Sequence, residues 1–218
     1  MPRTIAIGDI HGCDVALETL LEAIAPEPED VIITLGDIVD RGPNSRRCIE
    51  ILLELRTHCN YLGILGNHEE MMLNVLREGQ PPNRWLQFGG IATLDSYGFC
   101  GDIGVIPNDH IEFIEDFLPY HEIESHFFLH ANYEPKKPLN LQSPAMLRWK
   151  SLEEYLPGPH MNGKVAILGH TAERSGEVFT IKHLVCIDTF CHGGKWLTAI
   201  EPTIGKVWQA NQIGEIRE

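Results

Sequence analysis

The sequence predicts an α/β fold whose first half builds a mainly parallel β-sheet. Three observations carry that prediction. Short aliphatic runs alternate three times with helical stripes. Each run ends in a block rich in Gly, Asp and His. After residue 119, strand-like runs follow one another with few helices between them. Strand and helix in alternation is the mark of βαβ units with parallel neighbours.

Ile5-Ala6-Ile7 is the first strand. Residues 14–24 follow with Val15, Leu17, Leu20, Leu21 and Ile24 at helical spacing, and Pro26 and Pro28 stop that helix. Val31-Ile32-Ile33-Thr34-Leu35 is continuous and β-branched, the pattern of a strand buried on both faces. Pro43-Asn44-Ser45 opens a second helix with Ile49, Leu52, Leu53 and Leu55 inward. Tyr61 to Leu65 is the third strand, and residues 68–78 the third helix, closed by Gly79. Helices are expected over 83–97 and 109–118. Strands are expected over 119–124, 126–131, 164–169, 177–181, 184–188, 196–200 and 206–209. Strands in such a run imply a second sheet with antiparallel pairing. The Pro- and Asn-rich stretch 132–163 reads as a long surface excursion with short helical pieces.

With 218 residues, 43% of them hydrophobic, the chain can bury a full core, and one domain over 1–218 is expected. The net charge of -14, from 31 acidic and 17 basic side chains, argues against a nucleic-acid partner. Anionic substrates stay open, because bound cations would dominate the local field. No apolar run reaches membrane-spanning length, and because Met1-Pro2-Arg3-Thr4 leads directly into the first strand no secretion signal is expected. Cys13, Cys48, Cys59, Cys100, Cys186 and Cys191 form no C-x-x-C pair and read as reduced, cytoplasmic thiols.

The chemistry lies in three blocks: Gly8-Asp9-Ile10-His11-Gly12, Gly36-Asp37-Ile38-Val39-Asp40-Arg41-Gly42 and Gly66-Asn67-His68-Glu69. Each follows an apolar run, and in parallel sheets the working residues sit just past the carboxyl ends of the strands. Strand alternation points Asp9 and His11 to one side. Asp37 has two oxygens and can bridge two cations. His130 after Phe127-Phe128-Leu129, and His170 after Val165-Ala166-Ile167-Leu168-Gly169, are each the first polar side chain after a buried strand. With Asn67 these make a mixed N/O donor set. It suits first-row cations such as manganese, iron or zinc better than calcium or magnesium.

These blocks resemble the signature of the phosphoprotein phosphatase group of calcineurin-like metallophosphoesterases. Leu129-His130-Ala131 and Leu168-Gly169-His170-Thr171 are similar to its two later histidine motifs, and Val185-Cys186-Ile187-Asp188-Thr189 to its C-terminal segment. In size the chain resembles the compact bacterial and phage members of the bacteriophage lambda phosphatase type. The resemblance implies two facing mixed β-sheets flanked by helices, around a metal pair. It implies that Asp9 and His11 bind one metal, that Asp37 bridges, and that Asn67, His130 and His170 bind the other. His68 would be the general acid oriented by Asp40, and Arg41 would hold the phosphate. His192 belongs to a loop that resembles one near the active site in this group.

Hydrolysis of a phosphate ester needs a nucleophile, charge neutralisation and a proton for the leaving group. Two cations lower the pKa of a shared water and clamp the phosphoryl oxygens. Arg41 offers a planar donor fork. His68 beside a carboxylate can carry the proton. Glu69 reads as a first-turn helix residue favoured by the dipole.

The match breaks at two places. Leu65 stands where many protein phosphatases of the group have arginine, a departure shared with the symmetrical dinucleoside tetraphosphatases. Those, however, usually lack the aspartate found here as Asp40 and carry aspartate where Glu69 stands. A second phosphate-binding arginine is expected where the chain has Ser151, which leaves Arg148 or Lys150 to take that role. The leading expectation is therefore a phosphomonoesterase acting on phosphorylated protein side chains, in particular a serine/threonine phosphatase. The alternatives are a symmetrical dinucleoside tetraphosphatase and a metal-binding module without activity.

Overall fold

Both faces of the central strands are buried, which is why they read as unbroken apolar runs. The computed structural model describes residues 2–217. In chain order the strands are β1 (Thr4–Ile7), β2 (Val31–Thr34), β3 (Asn60–Gly63), β4 (His121–Glu122), β5 (His126–Phe128), β6 (Val165–Leu168), β7 (Phe179–Ile181), β8 (Leu184–Cys186), β9 (Leu197–Glu201) and β10 (Lys206–Ala210). The helices are α1 (Asp14–Ile24), α2 (Ser45–His58), α3 (Asn67–Leu76), α4 (Asn83–Trp85), α5 (Ile91–Ser96), α6 (Asn108–Glu115) and α7 (Pro144–Trp149).

One sheet has the order β10-β9-β1-β2-β3, the other β4-β5-β6-β8-β7. They face each other across Ala6, Ile33 and Ile64 on one side and Phe128, Ile167 and Ile187 on the other. Alternation sends Ile5, Ile7 and Ile32 to the opposite face, where Leu17, Leu20 and Leu52 of α1 and α2 cover them. The fold is thus two mixed sheets flanked by helices, as the sequence implied.

Three details differ from expectation. Strands β9 and β10 join the first sheet, antiparallel to β1 and to each other. Every residue of β9 is buried, so it fits only a position covered on both faces. The second sheet is parallel at its centre, β5-β6-β8, and antiparallel only at its edges. The stretch 132–163 is more than a surface loop, because Tyr133, Leu139 and Leu147 pack on the outer face of the second sheet.

Three helices are shorter than read, among them the one expected over 109–118, which spans Asn108–Glu115. Helix α3 ends at Leu76, before Gly79. The expected helix over 83–97 is interrupted by a widened turn at Leu86–Gly90, where Gly89 leaves helical geometry (φ 117°). A side chain there would meet the Arg41 backbone nitrogen at 2.9 Å, so glycine lets the Arg41 loop approach. No helix among the described residues is long and apolar enough to cross a membrane.

Candidate metal centre

The loops that follow β1, β2, β3, β5 and β6 end at one place, at the carboxyl ends of their strands. Their backbones are strained there. Among the described residues seven non-glycine residues have positive φ, and five of them are His11, Asp37, Asp40, Arg41 and His170. Each such conformation costs on the order of 1–3 kcal/mol and persists only where the surroundings enforce it. Strand alternation does not aim Asp9 and His11, since β1 ends at Ile7 and His11 lies in a left-handed turn (φ 45°). The turn aims His11 instead. Gly66 is glycine because a Cβ would lie 2.3 Å from Asp37 Oδ1.

The histidines test whether the site fits a cation. His11 Nδ1–H donates to the Val39 carbonyl (2.9 Å) and His130 Nδ1–H to the Leu35 carbonyl (2.7 Å). His170 uses its other nitrogen, Nε2–H, on the Trp149 carbonyl (3.1 Å). A carbonyl only accepts, so these tautomers are fixed and the remaining ring nitrogens carry lone pairs. Burial keeps the rings neutral: it lowers His11 and His170 and brings His130 down to about 4.

The free atoms converge. His130 Nε2 is 2.9 Å from Asn67 Oδ1 and 3.2 Å from His170 Nδ1, and His170 Nδ1 is 3.0 Å from Asn67 Oδ1. Asp37 Oδ1 is 3.4 Å from His130 Nε2, and Asp37 Oδ2 is 3.6 Å from His11 Nε2. Lone pairs this close repel one another unless a cation sits among them. Asp37 is common to both groups, His11-Asp37-His68 and Asp37-His130-His170. The donor set therefore fits two cations that share one carboxylate.

Asp9 is on the same floor but turned: both its oxygens accept from the His170 backbone N–H at 3.1 Å. Beside it lies Asp188, buried at the end of the run Val185-Cys186-Ile187. Burial raises both carboxyls, Asp188 to about 6; the charges of Asp188 and Asp37 add to it at Asp9, and the charge of Asp37 adds to it at Asp188. The sequence reading did not single out Asp188. The signal was present: it too is the first charged side chain after a buried strand.

His68 is fully buried. Its Nδ1–H donates to Asp40 Oδ2 (2.7 Å), while Nε2 has no hydrogen-bond partner among the described residues and lies 3.9 Å from Asp37 Oδ2. Burial works to lower its pKa, but the Asp37 and Asp40 carboxylates outweigh that and raise it. Asp40 is itself held by Trp85 Nε1–H (3.0 Å) and the Thr93 hydroxyl (2.7 Å), from α4 and α5. Both are ordinary core residues in sequence, 45 and 53 positions away, and nothing local marks them.

Glu69 does more than begin α3. Its Oε2 accepts from the Asp37 and Gly66 N–H groups (2.8 and 3.1 Å), and its Oε1 from Ile38 and Val39 (2.7 and 3.2 Å). Burial and then the Asp37 charge push its carboxyl up to about 7, against the backbone N–H groups that favour the ionised form. One side chain thus ties the third block to the second.

Above this floor opens a cleft of about 310 Å³ whose lining includes Arg41, Ser151, His170, Arg174, Phe190 and His192. Arg41 Nη1–H donates to His11 Nε2 (2.9 Å). His192 packs edge-on to His11, with ring centroids 4.6 Å apart. Arg148 and Lys150 are absent from the lining. Arg148 pairs with Glu70 at 2.5 Å and is mostly buried, and Lys150 pairs with Glu154 at 3.4 Å on the surface. The cation that lines the cleft together with Arg41 is Arg174, which sequence reasoning missed because it stands in no recognisable block.

The sequence profile described as calcineurin-like phosphoesterase matches residues 2–171, a stretch that contains every residue of both candidate clusters. The chain belongs to the calcineurin-like phosphoesterase family. Members of this family use divalent metals. A relative named serine/threonine-protein phosphatase 1, from Salmonella typhimurium, is 35% identical over 85 residues, 38% of this chain and 37% of the relative. A symmetrical bis(5'-nucleosyl)-tetraphosphatase from Coxiella burnetii is 31% identical over 166 residues, 73% of this chain and 51% of the relative. The chain thus matches about a third to a half of the length of these curated relatives. Among solved structures, one described as a candidate diadenosine tetraphosphatase superposes with TM-score 0.74, over 96% of this chain and 95% of that one, at 20% identity. That likeness concerns the fold. One of these relatives carries the tetraphosphatase description and the other the protein-phosphatase description; neither is a phage phosphatase of the type that the motifs resembled.

Proposed function

We propose that this calcineurin-like phosphoesterase hydrolyses a phosphoric anhydride, cleaving a dinucleoside polyphosphate symmetrically. The observation that carries this reading is the pair of guanidinium groups, Arg41 and Arg174, on one cleft over the ligand floor. Two planar donor forks suit a chain of several phosphates, where a single phosphoryl group would occupy one. Leu65 and a curated relative aligned over 166 residues support the same substrate class.

In this reading Asp9, His11 and Asp37 hold one cation, and Asp37, Asn67, His130 and His170 the other. The N/O donor set makes manganese the first choice. Such a pair activates water and neutralises the phosphoryl oxygens when bound. The chain's own residues do the rest. His11 Nε2 has one lone pair, so its contact with Arg41 and a cation exclude each other, and Arg41 is released toward the phosphates. His68 keeps Nδ1–H on Asp40 and presents Nε2 as the proton carrier. Arg174 takes the second phosphate-binding role expected of Arg148 or Lys150.

The decisive experiment is product analysis with diadenosine tetraphosphate and manganese. Only ADP is expected. ATP with AMP, or no turnover by enzyme that hydrolyses p-nitrophenyl phosphate, would overturn the proposal. The His68–Asp40 pair favours a second reading, hydrolysis of phosphorylated protein side chains. An alkoxide leaving group needs a proton, whereas ADP leaves without much help. Phosphoserine, phosphothreonine and phosphotyrosine peptides belong in the same assay.

A further inference from the structure

The phosphate cleft does not end at its own walls. Glu153, Thr171 and Ala172 line it on one side and, on the other, line a second pocket of about 200 Å³. The remaining walls of that pocket are Leu152, Leu156, Phe179, Cys186 and Glu173. The two spaces differ in chemistry. The cleft carries both arginines and the histidines; the pocket carries no basic side chain, a largely apolar wall and two carboxylates at its rim.

That division sorts a ligand by its parts. Phosphates go to the arginines and the metal floor, and Glu173, which lines the pocket and not the cleft, repels them from the pocket. A group that suits the pocket is flat, neutral and apolar on its faces, with N–H donors on its edge. Phe179 offers it an aromatic surface, Leu152 and Leu156 the aliphatic sides. Among the described residues Glu153 makes no hydrogen bond, so its carboxylate is open to an incoming donor; Glu173 uses Oε1 on the Ser175 N–H (3.0 Å), which leaves Oε2.

We propose that this pocket is a nucleobase subsite: it takes one base of a nucleotide whose phosphates lie in the Arg41–Arg174 cleft. The inference rests on the proposed dinucleotide reading and specifies which part of that substrate gives selectivity. Base recognition here is by stacking and by acceptors at the rim, so a purine with an exocyclic amine fits best.

The test compares ADP with pyrophosphate as inhibitors of p-nitrophenyl phosphate hydrolysis, at saturating manganese. Wild-type enzyme should bind ADP about tenfold more tightly, the advantage that goes with a stacked base. Leu156→Glu changes an exposed residue (54%), and Phe179→Leu keeps the apolar volume while removing the ring. Either variant should erase the advantage of ADP while leaving p-nitrophenyl phosphate turnover and pyrophosphate inhibition unchanged. Equal inhibition by ADP and pyrophosphate in wild type, or an ADP advantage that survives both substitutions, overturns the subsite. So does a loss in these variants that falls on phosphopeptides and spares ADP. Failure to cleave diadenosine tetraphosphate, with the ADP advantage present and variant-sensitive, overturns the substrate reading and leaves the subsite standing.

Discussion

The two ends of β1 and β2 are built on opposite principles. At their carboxyl ends the chain turns through left-handed conformations at His11 and Asp37, and the Asp37 carboxylate lies against the His11 and His130 ring nitrogens. At their amino ends Arg3 and Asp30 satisfy each other. The Arg3 N–H and Nε–H donate to Asp30 at 2.9 and 3.0 Å, and the guanidinium also donates to the Ile24 and Ala25 carbonyls that close α1. One end of the same two strands is stabilised; the other holds strain and unmet electrostatics. The difference teaches where function lives in this fold. The ligand end gathers donors that a divalent cation would satisfy, and the proposed function rests on that cation.

The sharpest way to break that comparison is to remove the shared carboxylate. Asp37→Asn keeps the shape but takes away the charge common to both ligand clusters. Metal analysis should find fewer than two cations per chain, and phosphatase turnover should fall to the blank. Chelator should lower the Tm of wild type and leave that of the variant unmoved, because only wild type has binding energy to lose. A variant that keeps both cations would refute the bridging role.

His68 comes next, since in the proposed reading it carries a proton to the leaving group and holds no cation. His68→Asn should keep metal content and slow alkyl phosphate hydrolysis by about a hundred- to ten-thousand-fold, the usual worth of a general acid. Aryl phosphates, whose leaving groups need little protonation, should lose far less. Equal losses on both would remove His68 from proton transfer.

Glu69 gives a smaller effect, because it acts through other residues. In Glu69→Gln an amide N–H₂ replaces one oxygen and faces two backbone N–H groups, so the tie between the second and third blocks loosens. Manganese affinity should drop roughly 10–100-fold, the range for residues that orient ligands. Titration of metal against activity separates this from damage to catalysis: saturating manganese should restore kcat.

How much of this was legible in the sequence follows the same division. The three blocks and the two later histidines could be read because each is a short polar interruption directly after a buried run. Local patterning suffices for that. Trp85 and Thr93 could not be read, because what matters in them is contact with Asp40 across the fold, and they look like any half of a helical stripe. Arg174 was missed for a related reason. An exposed arginine in a loop is featureless until the cleft it faces is known. The sheet membership of β9 and β10 failed for want of a local signal as well, since an apolar strand does not say which neighbour it pairs with. Glu69 was half legible: its place in the first turn of α3 was clear, its reach to the Asp37 loop was not.

The smallest effect belongs to the stabilised end and tests whether it is separate from the site. Asp30 is buried, and Arg3, with help from the Glu27 and Arg3 N–H groups, holds its carboxyl down at about 2 against an ordinary 3.8. A carboxyl depressed in the folded state contributes its full stability above the unfolded value and loses it as pH falls toward the folded one. Asp30→Asn should therefore cost on the order of 1–2 kcal/mol at pH 7, roughly 2–8 °C in Tm for a chain of this size. The gap to wild type should close between about pH 4 and pH 2. Metal content and kcat at 25 °C should be unchanged, because neither partner reaches the ligand end. If kcat fell together with Tm, strain at one end of β1 and β2 would depend on the bonds at the other, and the two ends would have to be treated as one device.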